Sequence, residues 1–66
     1  MQVVINGNEQ EISSPMTLGL LLETCKISRE NVVLELNKEI IAEEHWDTIV
    51  LKEQDSIEIL RFVGGG

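Results

Sequence analysis

The dipeptide Asn6-Gly7 lies between two short alternating runs and constrains the fold more than any other feature of this chain. Before it, Met1, Val3 and Ile5 alternate with Gln2 and Val4; after it, Gln10 and Ile12 continue among Glu9 and Glu11. Both central residues of a type I′ turn need positive φ, which Asn and Gly tolerate, so the pattern predicts an opening β-hairpin. Pro15 closes its second strand, and Thr17 is placed to cap a helix over residues 18–26. There Leu18, Leu21, Leu22 and Cys25 recur at i, i+3, i+4 and i+7, with Leu20 on the opposite side. Gly19 lowers helix propensity by about 1 kcal/mol relative to Ala, so this helix depends on packing its stripe against a sheet.

Alternation returns at Val32. Val32, Leu34 and Leu36 share one face, Val33 and Glu35 the other, and Asn37-Lys38-Glu39 reads as a turn into Ile40-Ile41. Residues 42–47 suggest a short helical turn carrying Trp46, residues 48–51 a brief strand, and Gln54-Asp55-Ser56 another turn. A last strand is predicted over 57–63, with Ile57 and Ile59 facing one way and Glu58, Leu60 and Phe62 the other. The order describes an α+β domain: one main helix on one face of a mixed sheet, with first and last strands parallel at its centre. Residues 1–63 form the domain and residues 64–66 a flexible glycine tail projecting from the middle of the sheet.

A chain of 66 residues has room for one small core, and its single cysteine cannot close an internal disulfide. With 42% hydrophobic and 26% charged residues it is expected to fold despite a net charge of −7. That charge disfavours nucleic acid and anionic membrane, and favours encounter with a basic protein surface. The lone thiol, with no signal-like or membrane-length apolar segment, points to the cytoplasm.

No catalytic constellation is present. Cys25 on the apolar stripe reads as a buried structural thiol rather than a nucleophile. His45, among Glu43, Glu44 and Asp47, reads as a solvated histidine, with a metal site as the other possibility. Trp46 is either a core anchor or a binding residue. Leu60 and Phe62, if Ile57 and Ile59 face the helix, form with Val4 either a docking patch on the open sheet face or a minor cluster under a loop. Arg61 is a candidate for pairing with an acidic group on a partner, and Val63 extends the docking segment. Gly64, Gly65 and Gly66 leave the backbone without a Cβ, so a slender tail can enter a narrow channel; Gly66 then offers an α-carboxylate for activation. A frayed end or an added segment is the plain alternative.

The opening Met1-Gln2-Val3-Val4-Ile5-Asn6-Gly7, the run Leu36-Asn37-Lys38-Glu39-Ile40-Ile41, the acidic stretch before Trp46 and the ending Arg61-Phe62-Val63-Gly64-Gly65-Gly66 resemble the ThiS-type sulfur carriers of thiamine biosynthesis. The resemblance covers the whole chain and implies the β-grasp fold shared with ubiquitin. It implies a protein cosubstrate, not an enzyme, that binds no cofactor itself. An E1-like adenylyltransferase of the ThiF type, using ATP and magnesium, would adenylate Gly66. Sulfur from a cysteine desulfurase or related donor would convert it to a thiocarboxylate, and a thiazole synthase of the ThiG type would accept that sulfur. A molybdopterin-type sulfur carrier, a ubiquitin-like protein modifier and a noncatalytic β-grasp interaction module are the alternatives.

Overall fold

The computed structural model describes residues 1–13 and 15–62, so Val63 and the boundary expected between residues 63 and 64 lie outside the described residues. The opening hairpin forms as predicted. Strands β1 (Gln2–Ile5) and β2 (Asn8–Glu11) pair antiparallel with Ile5 opposite Asn8, leaving a two-residue loop. Asn6 has φ 50° and Gly7 φ 84°, the left-handed pair that a type I′ turn requires. Every residue of β2 is exposed, and its Glu9 and Glu11 charge the free edge, which discourages pairing with other chains.

Helix α1 (Leu18–Thr24) begins where expected, with the Thr17 hydroxyl accepting from the Leu20 N–H at 3.1 Å. It ends two residues short of Lys26, for a reason the stripe does not contain. Lys26 adopts φ 60°; its N–H donates to the Glu23 carbonyl, and the Ile27 N–H reaches back to the Leu22 carbonyl. These two bonds are a Schellman closure built without glycine. Cys25 thereby becomes the C-cap and is exposed, which corrects the expectation of a buried thiol: Ile27, not Cys25, packs against the core after Leu22.

Strands β3 (Val32–Leu36) and β4 (Glu39–Ile41) form a second hairpin, with Asn37 at φ 51° and Lys38 at φ 72°. Glu39 is already paired with Leu36, so the loop is two residues long rather than three. A 3-10 turn, Glu43–His45, delivers Trp46 into the core, where its indole N–H donates to the Ile41 carbonyl at 2.9 Å. Trp46 is thus the anchor its composition suggested. Residues 48–51 do not form the expected strand. They make one antiparallel bridge, Thr17 to Val50, and Leu51 donates to the Met16 carbonyl. Pairing stops there because from Leu18 onward the opposing chain is helical.

Strand β5 (Ser56–Arg61) completes a five-stranded sheet of order β2-β1-β5-β3-β4, parallel to β1 and antiparallel to β3. It ends at Arg61, one residue before Phe62, whose N–H donates to the Asn31 carbonyl. Its pairing with β1 covers only Val4–Ser56 and Ile5–Ile57. Asn6 then bends away, but its N–H donates to the Ile57 carbonyl and its side-chain oxygen accepts the Ile59 N–H at 2.8 Å. One residue therefore turns the hairpin and finishes the central ladder.

The core lies between α1 and the sheet. Leu18, Leu21 and Leu22 pack with Val3, Ile5, Leu34, Ile57 and Ile59, closed at the margins by Ile12, Trp46 and Leu51. Gly19 lets the chain approach the helix closely. Its N–H donates to the Trp46 carbonyl, and a Cβ there would overlap the Asp47 carboxylate and the Arg29 guanidinium.

Candidate functional site

Period two divides the residues of β5: Ile57 and Ile59 are buried beneath α1, whereas Glu58 and Leu60 project from the open side of the sheet. No described loop covers them. Leu60 is 45% exposed and Phe62, just beyond the strand, 60% exposed, so these two do not form a covered minor cluster. Arg61 is exposed as well, but alternation turns it to the helix side, away from Leu60. Val63, Gly64, Gly65 and Gly66 lie outside the described residues.

Val4 shares the open face without joining Leu60 and Phe62. The register sets Val4 opposite Ser56, four residues from Leu60, a separation of about 13 Å along the strand. The neighbour of Leu60 is Val33, and the adjoining β4 contributes Ile40, 68% exposed. Neither residue was singled out in the sequence. The alternation of β3 already put Val33 outward, but only the register of β4 separates Ile40 from Ile41, which packs on the core. Across Glu35 and Glu58 the patch continues from Leu60 to Ile40.

The helix side carries the other polar grouping. Arg29 donates to Asp47 from both terminal guanidinium nitrogens, one at 3.1 Å, while its guanidinium carbon stands 5.9 Å from the Trp46 ring centroid. The hydrogen bond from Arg29 holds the Asp47 carboxyl below its ordinary value, the Arg29 charge acts in the same direction, and Arg29 is raised by the same pairing. This is structural chemistry, fixing the residue after the 3-10 turn to the segment between α1 and β3. His45 is exposed, its Nε2 4.0 Å from Glu44. Among the described residues no group of three His, Cys, Asp or Glu side chains could hold a metal ion, and no helix is long and apolar enough to cross a membrane.

A mixed sheet with β1 and β5 parallel at its centre, one helix across one face, the other face open, and the chain leaving from the middle strand defines a β-grasp domain. Comparison with known proteins agrees. The model of the ThiS family matches residues 3–66. The crystal structure of the thiamine biosynthesis protein ThiS from Geobacter metallireducens superposes with a TM-score of 0.86 at 32% identity, covering 100% of both chains. Sulfur carrier protein ThiS of Bacillus subtilis is 42% identical over 50 residues, 76% of each chain. A thiazole synthase of Paramagnetospirillum magneticum is 35% identical over all 66 residues, which span only 20% of that protein. The chain belongs to the ThiS family.

Proposed function

We propose that this chain is a sulfur carrier of thiamine biosynthesis, a protein cosubstrate whose Gly66 carboxylate is activated and loaded by partner enzymes. The observation that carries the reading is family membership over residues 3–66, a span that includes the terminal glycines. Carboxylate is a poor electrophile because its leaving group is oxide. A ThiF-type adenylyltransferase, with ATP and magnesium, joins a carboxylate oxygen of Gly66 to the α-phosphate of ATP and releases pyrophosphate. AMP is then the leaving group. The terminal sulfur of a persulfide formed from cysteine by a desulfurase displaces AMP to give an acyl disulfide. A thiol then cleaves its S–S bond, leaving a thiocarboxylate on Gly66 while that thiol is oxidised to a disulfide. Thiazole synthase takes up the sulfur and returns the carrier as carboxylate. The likeness of the whole chain to 20% of a protein named thiazole synthase supports that partnership.

In this reading, Leu60 and Phe62, extended by Val33 and Ile40, dock the activating enzyme; Val4 meets it at the far end of the same face. Arg61 and Val63 lie at the channel mouth, and Gly64, Gly65 and Gly66 thread it because no Cβ obstructs them. The exposed Cys25 suits a reducing cytoplasm, where a free thiol persists. Thiazole formation reconstituted with adenylyltransferase, desulfurase, thiazole synthase and this carrier tests the proposal. Removing Gly66 is expected to abolish product formation with an unchanged melting temperature. Full turnover by the shortened chain overturns the reading.

A further inference from the structure

The open sheet face contains a conflict that folding alone does not explain. The β3–β5 register sets Glu35 directly opposite Glu58, and the β3–β4 register sets Ile40 on the other side of Glu35. Opposed residues on neighbouring strands hold their Cβ atoms about 5 Å apart, where like charges destabilise the pair. Neither carboxylate belongs to an ion pair among the described residues. The five cations of the chain stand elsewhere: Lys26 and Arg29 follow α1, Lys38 and Lys52 are in turns and loops, and Arg61 faces the helix side.

The surroundings of the pair determine what can cover it. Leu60 and Val33 occupy the next outward rung along the strands, and Ile40 adjoins Glu35 across the sheet. A surface that covers this apolar flank also takes Glu35 and Glu58 out of water. Burying two unpaired carboxylates side by side costs more than the neighbouring apolar contact returns, so a complementary surface has to bring positive charge. The net charge of −7 steers the same kind of partner toward the chain.

We infer that the open face docks a protein surface whose apolar contact contains an Arg or Lys side chain, the cation entering between Glu35 and Glu58. The inference rests on the sulfur-carrier reading for the identity of the partner, the ThiF-type adenylyltransferase. It assigns the acidic pair to recognition at the expense of stability.

Glu35→Gln and Glu58→Gln, singly and together, test it in two measurements. Relief of the repulsion raises the melting temperature by about 2–5 °C. Affinity for the adenylyltransferase at low salt falls about tenfold, and the difference between wild type and variant narrows as added salt screens the charges. A variant that binds as tightly as wild type overturns the inference, as does one whose affinity loss is the same at all salt concentrations. Wild type that is bound and loaded while the variants bind equally well tells against the acidic pair alone. Wild type that does not bind the enzyme at all overturns the sulfur-carrier reading together with it.

Discussion

Asn6 carries more of the structure than its position in a turn implies. Its backbone supplies positive φ, and its side-chain oxygen takes the Ile59 N–H that β1 is too short to reach. The two contributions separate by mutation. Asn6→Gly keeps the turn and loses the hydrogen bond, and is expected to cost about 1 kcal/mol; Asn6→Ala loses both and costs about 2 kcal/mol, measured by urea denaturation. Asp47 gives a pH-dependent counterpart. Its carboxyl is depressed in the folded state by Arg29, so the stability it contributes is present above the unfolded value near 3.8 and lost as pH falls through the folded value. The melting temperatures of wild type and Asp47→Asn are therefore expected to differ at neutral pH, to begin converging only as pH falls below about 4, and to meet below the depressed folded value. A constant difference across that range would remove the ion pair from the account. The Asn6-Gly7 turn was legible in sequence because backbone need and residue type coincide. The bond to Ile59 was not, since it joins residues 53 apart.

Among the elements, the ends were harder to read than the faces. The apolar stripe of α1 and the alternation of β3 and β5 follow from period alone, and Leu18, Leu21, Leu22, Leu34, Ile57 and Ile59, which the periods select, are buried in the core. The stripe wrongly extended to Cys25 because the helix stops with Lys26 in the left-handed region, a position that usually announces itself with glycine. Lys26→Gly removes that strain and is expected to stabilise the domain by about 0.5–1 kcal/mol without altering the Schellman bonds, checked by denaturant midpoint. A destabilised variant would mean the Lys26 side chain has a role the backbone account omits. The brief strand expected at residues 48–51 failed for a related reason: β-propensity was present, but the facing chain became helical after one bridge. Val4, Leu60 and Phe62 show the same limit on the open face. Period two placed Val4 and Leu60 on one side of the sheet, yet only the register revealed the distance between them and the opposed Glu35 and Glu58.

For the whole molecule, the strand order has a functional consequence. The strand that leads to the glycine tail is also the central strand, held by β1 on one side and β3 on the other. Phe62, just beyond that strand, is therefore fixed relative to the open face, and under the proposed function a partner docked there also meets the glycines that follow in sequence. A domain of this size has roughly 3–10 kcal/mol of stability to retain, most of it from one core. Under the proposed function the reacting carboxylate belongs to Gly66, so the chemistry asks for no reactive group in that core. The fold class was readable in the sequence because hairpin, helix and closing strand each had its own local signal. Of the candidate site, the outward face of β5 was readable in the sequence; Gly64, Gly65 and Gly66 lie outside the described residues, and the rest depended on pairing between distant strands.

The most direct test of the central claim is an intact-mass spectrum of the chain after incubation with a ThiF-type adenylyltransferase, ATP, magnesium and a sulfur source, beside a variant lacking Gly66. A sulfur carrier gains the mass corresponding to replacement of one carboxylate oxygen by sulfur, and the shortened variant does not. An unchanged mass in the full chain, with an enzyme shown to load another carrier in parallel, would contradict the account.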